Sequence, residues 1–519
     1  MSTDAVAPTN VEDFDPVAVR PVVVGVLVGI SLAAVSQTFV TTALPTIVGE
    51  LGGYDQLSWV VSSYLLTSAI VVPFAGKLSD RFGASRVFRA SIAVFAIGSL
   101  LAGVSTSMVM LIIARGVQGV GGGALMTVAF TLIARLVPPR ERGRYQSRVA
   151  SLFAVTSVTG PLIGGFFVDH LSWRWAFFVV TAMCGLALGV VRRLPSDERA
   201  PGGAADVLGA SGVVVVLVSL MLVALWGGQV AAWSSPLIVV LLTVSAIGIV
   251  LFVVWERRVA DPIVPVRLMR RRAVWIAVTL GFLSGVSMFG VIAFAPTFLQ
   301  VSLGASATAS GLLLVPLMGC ILIGSTTGGR VMSNTGRYRR VAIGGSVLLT
   351  VGAGLLTTMS ADTPLGVPSL YVGVVGLGIG LLMPVTLVAV QNEVPADQLG
   401  AATSLTQFTR KIGSTLGVAV LGGLFVSRLT RALDASSADL PAGVSTDSLL
   451  ETPAAIDDLP NEIAQIVRGA VADGATVTFV FAFIFAACGV VLALMLPDTE
   501  LADDERAGVD STPDLEVAG

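Results

Sequence analysis

Apolar runs of about twenty residues recur along this chain, separated by short polar stretches rich in arginine. As a helix, such a run crosses about 30 Å of hydrocarbon. A helix also satisfies its own backbone polar groups, which lipid demands. The pattern predicts fourteen helices, at roughly 21–45, 57–77, 86–105, 108–135, 146–168, 175–192, 207–226, 236–255, 273–298, 309–330, 340–359, 367–391, 401–425 and 474–496. One long connection remains, at 427–473. It is mostly acidic and holds an amphipathic stretch, "NEIAQIVRGAVADG"; a solvated connector and a lid both fit it.

Composition excludes a soluble helical bundle. Charged residues make up 12% of the chain and hydrophobic ones 54%, whereas soluble domains carry about 25% charged residues. The placement of charge then sets orientation. Lys77, Arg81, Arg86 and Arg89 fall in one connection, and Arg135, Arg140, Arg142, Arg144 and Arg148 in another. Arg192 and Arg193, the run Arg270–Arg272, and Arg337, Arg339 and Arg340 fall in further connections on the same side. The other side receives only Arg174, Arg428, Arg431 and Arg468. By the positive-inside rule the arginine-rich side is cytoplasmic. Both tails, 1–20 and the acidic 497–519, are then cytoplasmic and expected to be disordered. Residues 1–19 are polar and the first apolar run is too long for a secretory signal. The expected location is the inner (cytoplasmic) membrane.

Little points to enzyme chemistry. Cys184, Cys320 and Cys488 lie in apolar segments without CxxC spacing, and His170 is the single histidine. Neither a disulfide framework nor a metal site is expected. No nucleotide loop or nucleophile triad is present, so no cofactor and no nucleic-acid partner are expected.

The chain repeats itself at an offset of about 250 residues. "GKLSDRFG" (76–83) matches the segment Gly329–Gly336, each before a basic run; "VPPRERG" (137–143) matches "VPADQLG" (394–400); "ALPTIV" (43–48) loosely matches "FAPTFL" (294–299). Two related halves follow, 21–192 and 273–496, with two helices inserted between them in 193–272. In the first loop, Gly76 and Gly83 permit tight turns and Asp80 suits a helix N-terminus. A latch and a plain basic loop both fit it. "LIIARGVQGVGGG" (111–123) sets Arg115 deep in a span with Gln118 on the same face. A membrane arginine is costly and faces a cavity or a partner. "SVTGPLIGG" (157–165) places Pro161 among Gly160, Gly164 and Gly165, a smooth face another helix can approach.

These three motifs, in this order, resemble the major facilitator superfamily. "TGPLIGG", "SWRWAFF" (172–178) and fourteen helices are similar to its fourteen-helix drug:proton antiporter branch, as are "APTFLQ", "GRYRR", "AVQNEVP" and "GSTLGVAV" in the second half. The resemblance spans about residues 20–497. It implies an all-α membrane fold of two six-helix bundles working by alternating access. It also implies a conformational latch at Gly76, Asp80, Arg81 and Gly83, a proton-transfer motif at Arg115, Gln118 and Gly119, and an antiporter motif at Gly160, Pro161, Gly164 and Gly165. Two departures stand out. Ser36, beside Gln37, occupies the position of the family's first-helix acid, and Val180 and Ala182 replace an Asn-x-Pro element.

No predicted span holds an aspartate or glutamate away from its ends. Three explanations stay open: a proton site at a boundary group (Asp80, Asp169–His170 or Asp55), an ionisable substrate that neutralises Arg115, or transport without proton coupling. The expected cavity is apolar with few polar fixtures, Gln37, Gln118, Gln300, Gln391 and Asn392. Phe39, Phe289, Phe294 and Met288 could line it. Arg410 and Lys411 either reach head groups or add positive charge to it. The expected function is export of small amphipathic molecules by proton antiport, driven by the proton gradient, from a monomer in the lipid bilayer. The alternatives are export of an anionic lipid-like metabolite and a non-transporting sensor.

Overall fold

In this computed structural model, the described residues are 16–501 apart from 54–55, 193–205, 228–230, 232–234, 260–261, 264–265, 306–311, 313, 361–362, 365 and 436–460. They form fourteen long helices: α1 (Pro16–Leu51), α2 (Leu57–Phe82), α3 (Ala84–Gly103), α4 (Met108–Leu136), α5 (Pro139–His170), α6 (Trp173–Val191), α7 (Val207–Trp226), α8 (Pro236–Glu256), α9 (Arg272–Thr297), α10 (Leu314–Thr335), α11 (Arg339–Leu356), α12 (Gly366–Gln391), α13 (Leu399–Ala435) and α14 (Asn461–Met495). A π turn, Phe298–Ser302, carries Gln300 beyond α9. Among the described residues, eleven helical segments are long and apolar enough to cross a membrane. Most of the two tails, and Asp55, lie outside the described residues.

Local chemistry sets many ends. Ser107 caps α4 by accepting from the Met110 amide, Ser172 caps α6, and Ser235 caps α8 ahead of Pro236. Asp206 caps α7 through Gly209 and also accepts from the Trp255 indole at 2.8 Å, tying α7 to α8. Gly83 (φ 91°) breaks α2 from α3, and its repeat partner Gly336 (φ 65°) stands between α10 and α11. A side chain rarely tolerates either conformation. The repeat read from sequence is therefore also a repeat of turn geometry.

Some boundaries differ from expectation. α5 starts at Pro139, because a proline at the first helical position and Glu141 in the first turn favour a helix start. The loop expected at 427–473 is shorter. α13 continues to Ala435, and "NEIAQIVRGAVADG" is the beginning of α14. Its Ala464, Val467, Ala470 and Val471 are buried in one cluster with Phe425 and Leu429 of α13. The amphipathic pattern is a packed helix face. Residues 436–460 lie outside the described ones.

α1 to α6 share one apolar core, built around Ile30, Phe88, Phe95, Leu125 and Trp173. α9 to α14 share two others, one around Phe298, Phe425 and Phe479, the other around Ile276, Tyr338 and Val388. α7 and α8 pack on each other, with Ser245 donating to Ser219 at 2.8 Å. α7 also touches α2 and α13. Most of α8 faces outward: Val240, Ile247, Val250 and Leu251 are all more than half exposed.

Candidate functional site

The polar interior begins on α4. Its glycines let neighbouring backbones come close: a Cβ on Gly119 would lie 2.4 Å from Tyr64 O of α2, and one on Gly121 2.4 Å from the Phe95 amide nitrogen of α3. Clamped this way, α4 holds Arg115 fully buried. Its Nε donates to Val60 O at 3.3 Å and Nη1 to Gln118 Oε1. The guanidinium lies 4.4 Å from the Tyr64 ring centroid, a cation–π contact. Nη2 has no partner. Gln118 Nε2 in turn donates to Ser36 Oγ at 2.8 Å and to Ser99 Oγ at 2.6 Å. Ser36, where the family's acid is expected, is thus one amide away from Arg115. Arg115 has neighbours after all, but among the described residues none is a carboxylate. Gln37 is half-buried beside this chain of bonds.

The antiporter motif faces α1. Cβ atoms on Gly160 and Gly164 would fall 1.8 Å from Thr38 Oγ1 and 2.3 Å from Thr42 Oγ1. Thr42 Oγ1 also points at Pro161 O, at 3.5 Å. Gly165 meets nothing within 4 Å. The motif therefore presses α5 onto the helix that carries Ser36. Phe39 is not a cavity wall: it is buried in the first core with its ring 4.9 Å from Phe177.

The end of the molecule where α2 gives way to α3, α4 to α5 and α10 to α11 carries most of the arginines, and is called the basic end here. Two clasps join the halves there. In the first, Asp80 Oδ1 accepts from the Gly400 amide at 2.8 Å and from Arg135 Nη2 at 2.8 Å. Its Oδ2 accepts from the Ala401 amide at 2.8 Å. The carboxylate thus caps the N-terminus of α13, a helix of the other half, where the dipole favours an anion. No side chain fits between the backbones: a Cβ on Gly76 would lie 2.4 Å from Gly400 O. Arg81, expected in the latch, instead lies over Phe82. The second clasp is the repeat counterpart. A Cβ on Gly329 would lie 2.5 Å from Gly143 O, Arg140 Nε donates to Ser333 O at 3.1 Å, and Ser333 Oγ donates to Glu141. Ser333 stands where the first clasp has Asp80.

Three further bonds cross the halves toward mid-depth. Gln146 donates to Gln391 at 2.5 Å, and Gln391 to Thr403 at 2.8 Å. Ser151 and Ser325 hydroxyls meet at 3.2 Å, and Lys411 Nζ donates to Ser68 Oγ at 2.9 Å. Gln391, expected in the cavity, is therefore part of the seam between halves. Asn392 is half-buried just past α12. Gln300 is half-buried on the π turn, and Arg410 donates to Gln407 on its own helix.

At the opposite end, Glu50 fastens α1 to α6. It accepts from the Trp173 indole at 2.6 Å and from Arg174 Nη1 at 2.5 Å, while Arg174 Nη2 reaches Ser105 O at 3.1 Å. The indole and the guanidinium hold the Glu50 carboxyl below its ordinary value of 4.5. Its contribution to stability is present above that value and disappears as pH falls through the lowered one. We expect Glu50→Gln to lower the melting temperature by the same amount at pH 7 and pH 5, the gap closing only below pH 4.5. A gap that closes between pH 7 and pH 5 would contradict this. Asp169 and His170 are exposed at this end, His170 stacked on Phe166.

Sequence reasoning missed Arg135, Tyr64, Ser99, Gly143 and the Lys411–Ser68 contact. Of these, only Gly143 had a visible signal, since it aligns with Gly400 in the repeat.

Residues 26–418 match the Major Facilitator Superfamily. An uncharacterized MFS-type transporter of Mycobacterium tuberculosis is 40% identical over 491 residues, covering 94% of this chain and 71% of that one. The multidrug transporter protein MdtP of Bacillus subtilis is 33% identical over 506 residues, 93% of each chain. Multidrug resistance protein 3 of the same organism is 32% identical over 479 residues, 91% of this chain and 93% of that one. Among solved structures, the proton:xylose symporter XylE superposes with a TM-score of 0.61 at 14% identity, over 95% of this chain and 99% of that one. The human organic anion transporter MFSD10 gives 0.60 at 15%, over 90% and 99%. These two likenesses concern the fold alone. With the repeat, the paired clasps and the extent of these matches in agreement, the chain belongs to the major facilitator superfamily.

Proposed function

We propose that this protein exports small amphipathic molecules across the inner membrane by alternating access, and that the structure is its outward-facing state. All fourteen helices span the bilayer, the basic end is cytoplasmic, and the rocking units are α1–α6 and α9–α14 of a monomer. One observation carries the reading. The side-chain hydrogen bonds described above that join the two units lie at the basic end or mid-depth. Toward the other end the facing helices α5 and α10 expose Leu162, Phe166 and Val315. The two Bacillus relatives, a multidrug transporter and a multidrug resistance protein, support drugs as cargo. The drive is the proton gradient, with no bound cofactor. Asp80 is the acid best placed to couple it, because protonation would remove the charge that holds Gly400 and Ala401.

The test is dye accumulation in cells, with cationic, neutral and anionic dyes, with and without a protonophore. Expression is expected to lower accumulation of at least one dye class several-fold, and Asp80→Asn or a protonophore to abolish the difference. Efflux indifferent to the protonophore would sink the antiport reading. An absence of efflux across the whole panel would sink export.

A further inference from the structure

α13 carries two adjacent cations, Arg410 and Lys411, about 18 Å of helix from its basic end. Among the described residues neither pairs with an acid. Among the described residues, Lys411 Nζ donates only to Ser68, to its carbonyl oxygen at 3.2 Å and its hydroxyl at 2.9 Å. An ammonium has three N–H groups and a full charge, and two neutral acceptors leave that charge uncompensated. Beside it, between α2, α7 and α13, runs a narrow crevice. Leu217, Leu220 and Met221 of the inserted α7 form one wall, and Phe408, Ile412 and Leu416 of α13 the other. Lys411 and Thr415 carry the polar side chains of a lining that is otherwise apolar.

We propose that this crevice is a cargo site for an anionic amphiphile, whose carboxylate or phosphate sits on Lys411 and whose chain lies between α7 and α13. The inference rests on the export reading and names its cargo class. Charge selects an anion, since a membrane-buried cation without a counter-charge is costly. Depth selects cargo over a resident phospholipid, because lipid head groups lie at the surface of a hydrocarbon layer about 30 Å thick. The geometry also couples binding to rocking. α2 and α13 are the helices joined by the Asp80 clasp. Parting them separates Ser68 from Lys411, strips the ammonium of its acceptors and widens the slot toward the inner leaflet. Reclosure returns Ser68 to Lys411 and displaces the anion.

The test uses the full chain in a neutral detergent and in phosphatidylcholine vesicles, with two probes of equal chain length, dodecyl phosphate and dodecyltrimethylammonium. The wild type is expected to bind the phosphate at least about tenfold more tightly than the cation, the scale of a charge-assisted contact. Lys411→Gln should erase that preference and Lys411→Arg should keep it. Equal binding of the two probes by the wild type overturns the proposal without any variant. So does a folded Lys411→Gln protein that retains the preference. Phosphatidylglycerol added to the vesicles that displaces the probe through Lys411 without itself being moved overturns the cargo assignment in favour of a bilayer lipid. Lys411-dependent binding with no transport of any probe keeps the site and overturns the export reading. Transport of the cation with no effect of Lys411 does the reverse.

Discussion

We expect Gly400→Ala to abolish transport and to leave the basic end of the protein open. The added Cβ would lie 2.3 Å from Ser79 Oγ, 2.4 Å from Gly76 O and 2.5 Å from Asp80 Oδ1. Two of these atoms belong to the clasp itself, and one is backbone that cannot turn aside. α13 must therefore back away from α2, taking the Gly400 and Ala401 amides off the Asp80 carboxylate. Hydrogen bonds to a charged group contribute about 1.5–3 kcal/mol each. Losing both shifts the closed–open equilibrium by about 3–6 kcal/mol, more than a hundredfold. Alanine is a better helix former than glycine, so the helix survives and the defect is one of closure. Spin labels at Phe82 and Gln398, both exposed, would report it in a background without the three cysteines. The label distance should lengthen and flux should fall to background. An unchanged distance with wild-type flux would remove the clasp from the mechanism. Gly329→Ala should act the same way more weakly, since its clasp holds a serine where the first holds Asp80.

Much of this was legible because membrane helices announce themselves by length and apolarity. The turn glycines Gly83 and Gly336, the asymmetry of the arginines and the repeat were all visible, because each depends on local chemistry. The clasps were half visible. Asp80 was recognisable as a helix-capping acid, but the helix it caps begins at Leu399, more than three hundred residues away. No local pattern encodes such a partner. Arg135 looked like one more topological arginine, yet it completes the clasp. Tyr64 carried no signal at all, since an aromatic in an apolar run reads as lipid-facing until Gly119 and Gly122 bring α4 against it. Gln391 and Phe39 were misplaced for a related reason. In sequence, polarity and aromaticity both suggest a cavity, whereas packing uses the first to seal the seam between halves and the second to fill a core.

Arg115→Met is expected to fold normally and to transport at least a hundredfold less. The two halves of that statement come from the same geometry. The guanidinium is fully buried, and among the described residues its Nη2 has no partner and no acid balances it. Replacing a buried, uncompensated charge by an apolar side chain of similar length is often neutral or stabilising. Against this, Gln118 Oε1 and Val60 O lose a donor, at about 1–3 kcal/mol for each acceptor left unsatisfied. The terms oppose one another, so the melting temperature should move by only a few degrees while flux disappears. A variant that unfolds would show the cation to be structural, and one that transports normally would show it to be idle. Ser36→Asp sharpens the experiment. A carboxylate at that position would stand one hydrogen bond from Gln118 and, through it, two from Arg115. In the wild-type background it supplies the missing counter-charge, so stability should rise and flux should depend more steeply on the proton gradient. In the Arg115→Met background the same acid is stranded in the interior, and stability should fall. The sign of Ser36→Asp therefore reverses with residue 115, a coupling that contacting groups show at about 0.5–3 kcal/mol. Additive effects would mean that Ser36 and Arg115 do not share one network, and that the first-helix position plays no part in moving charge.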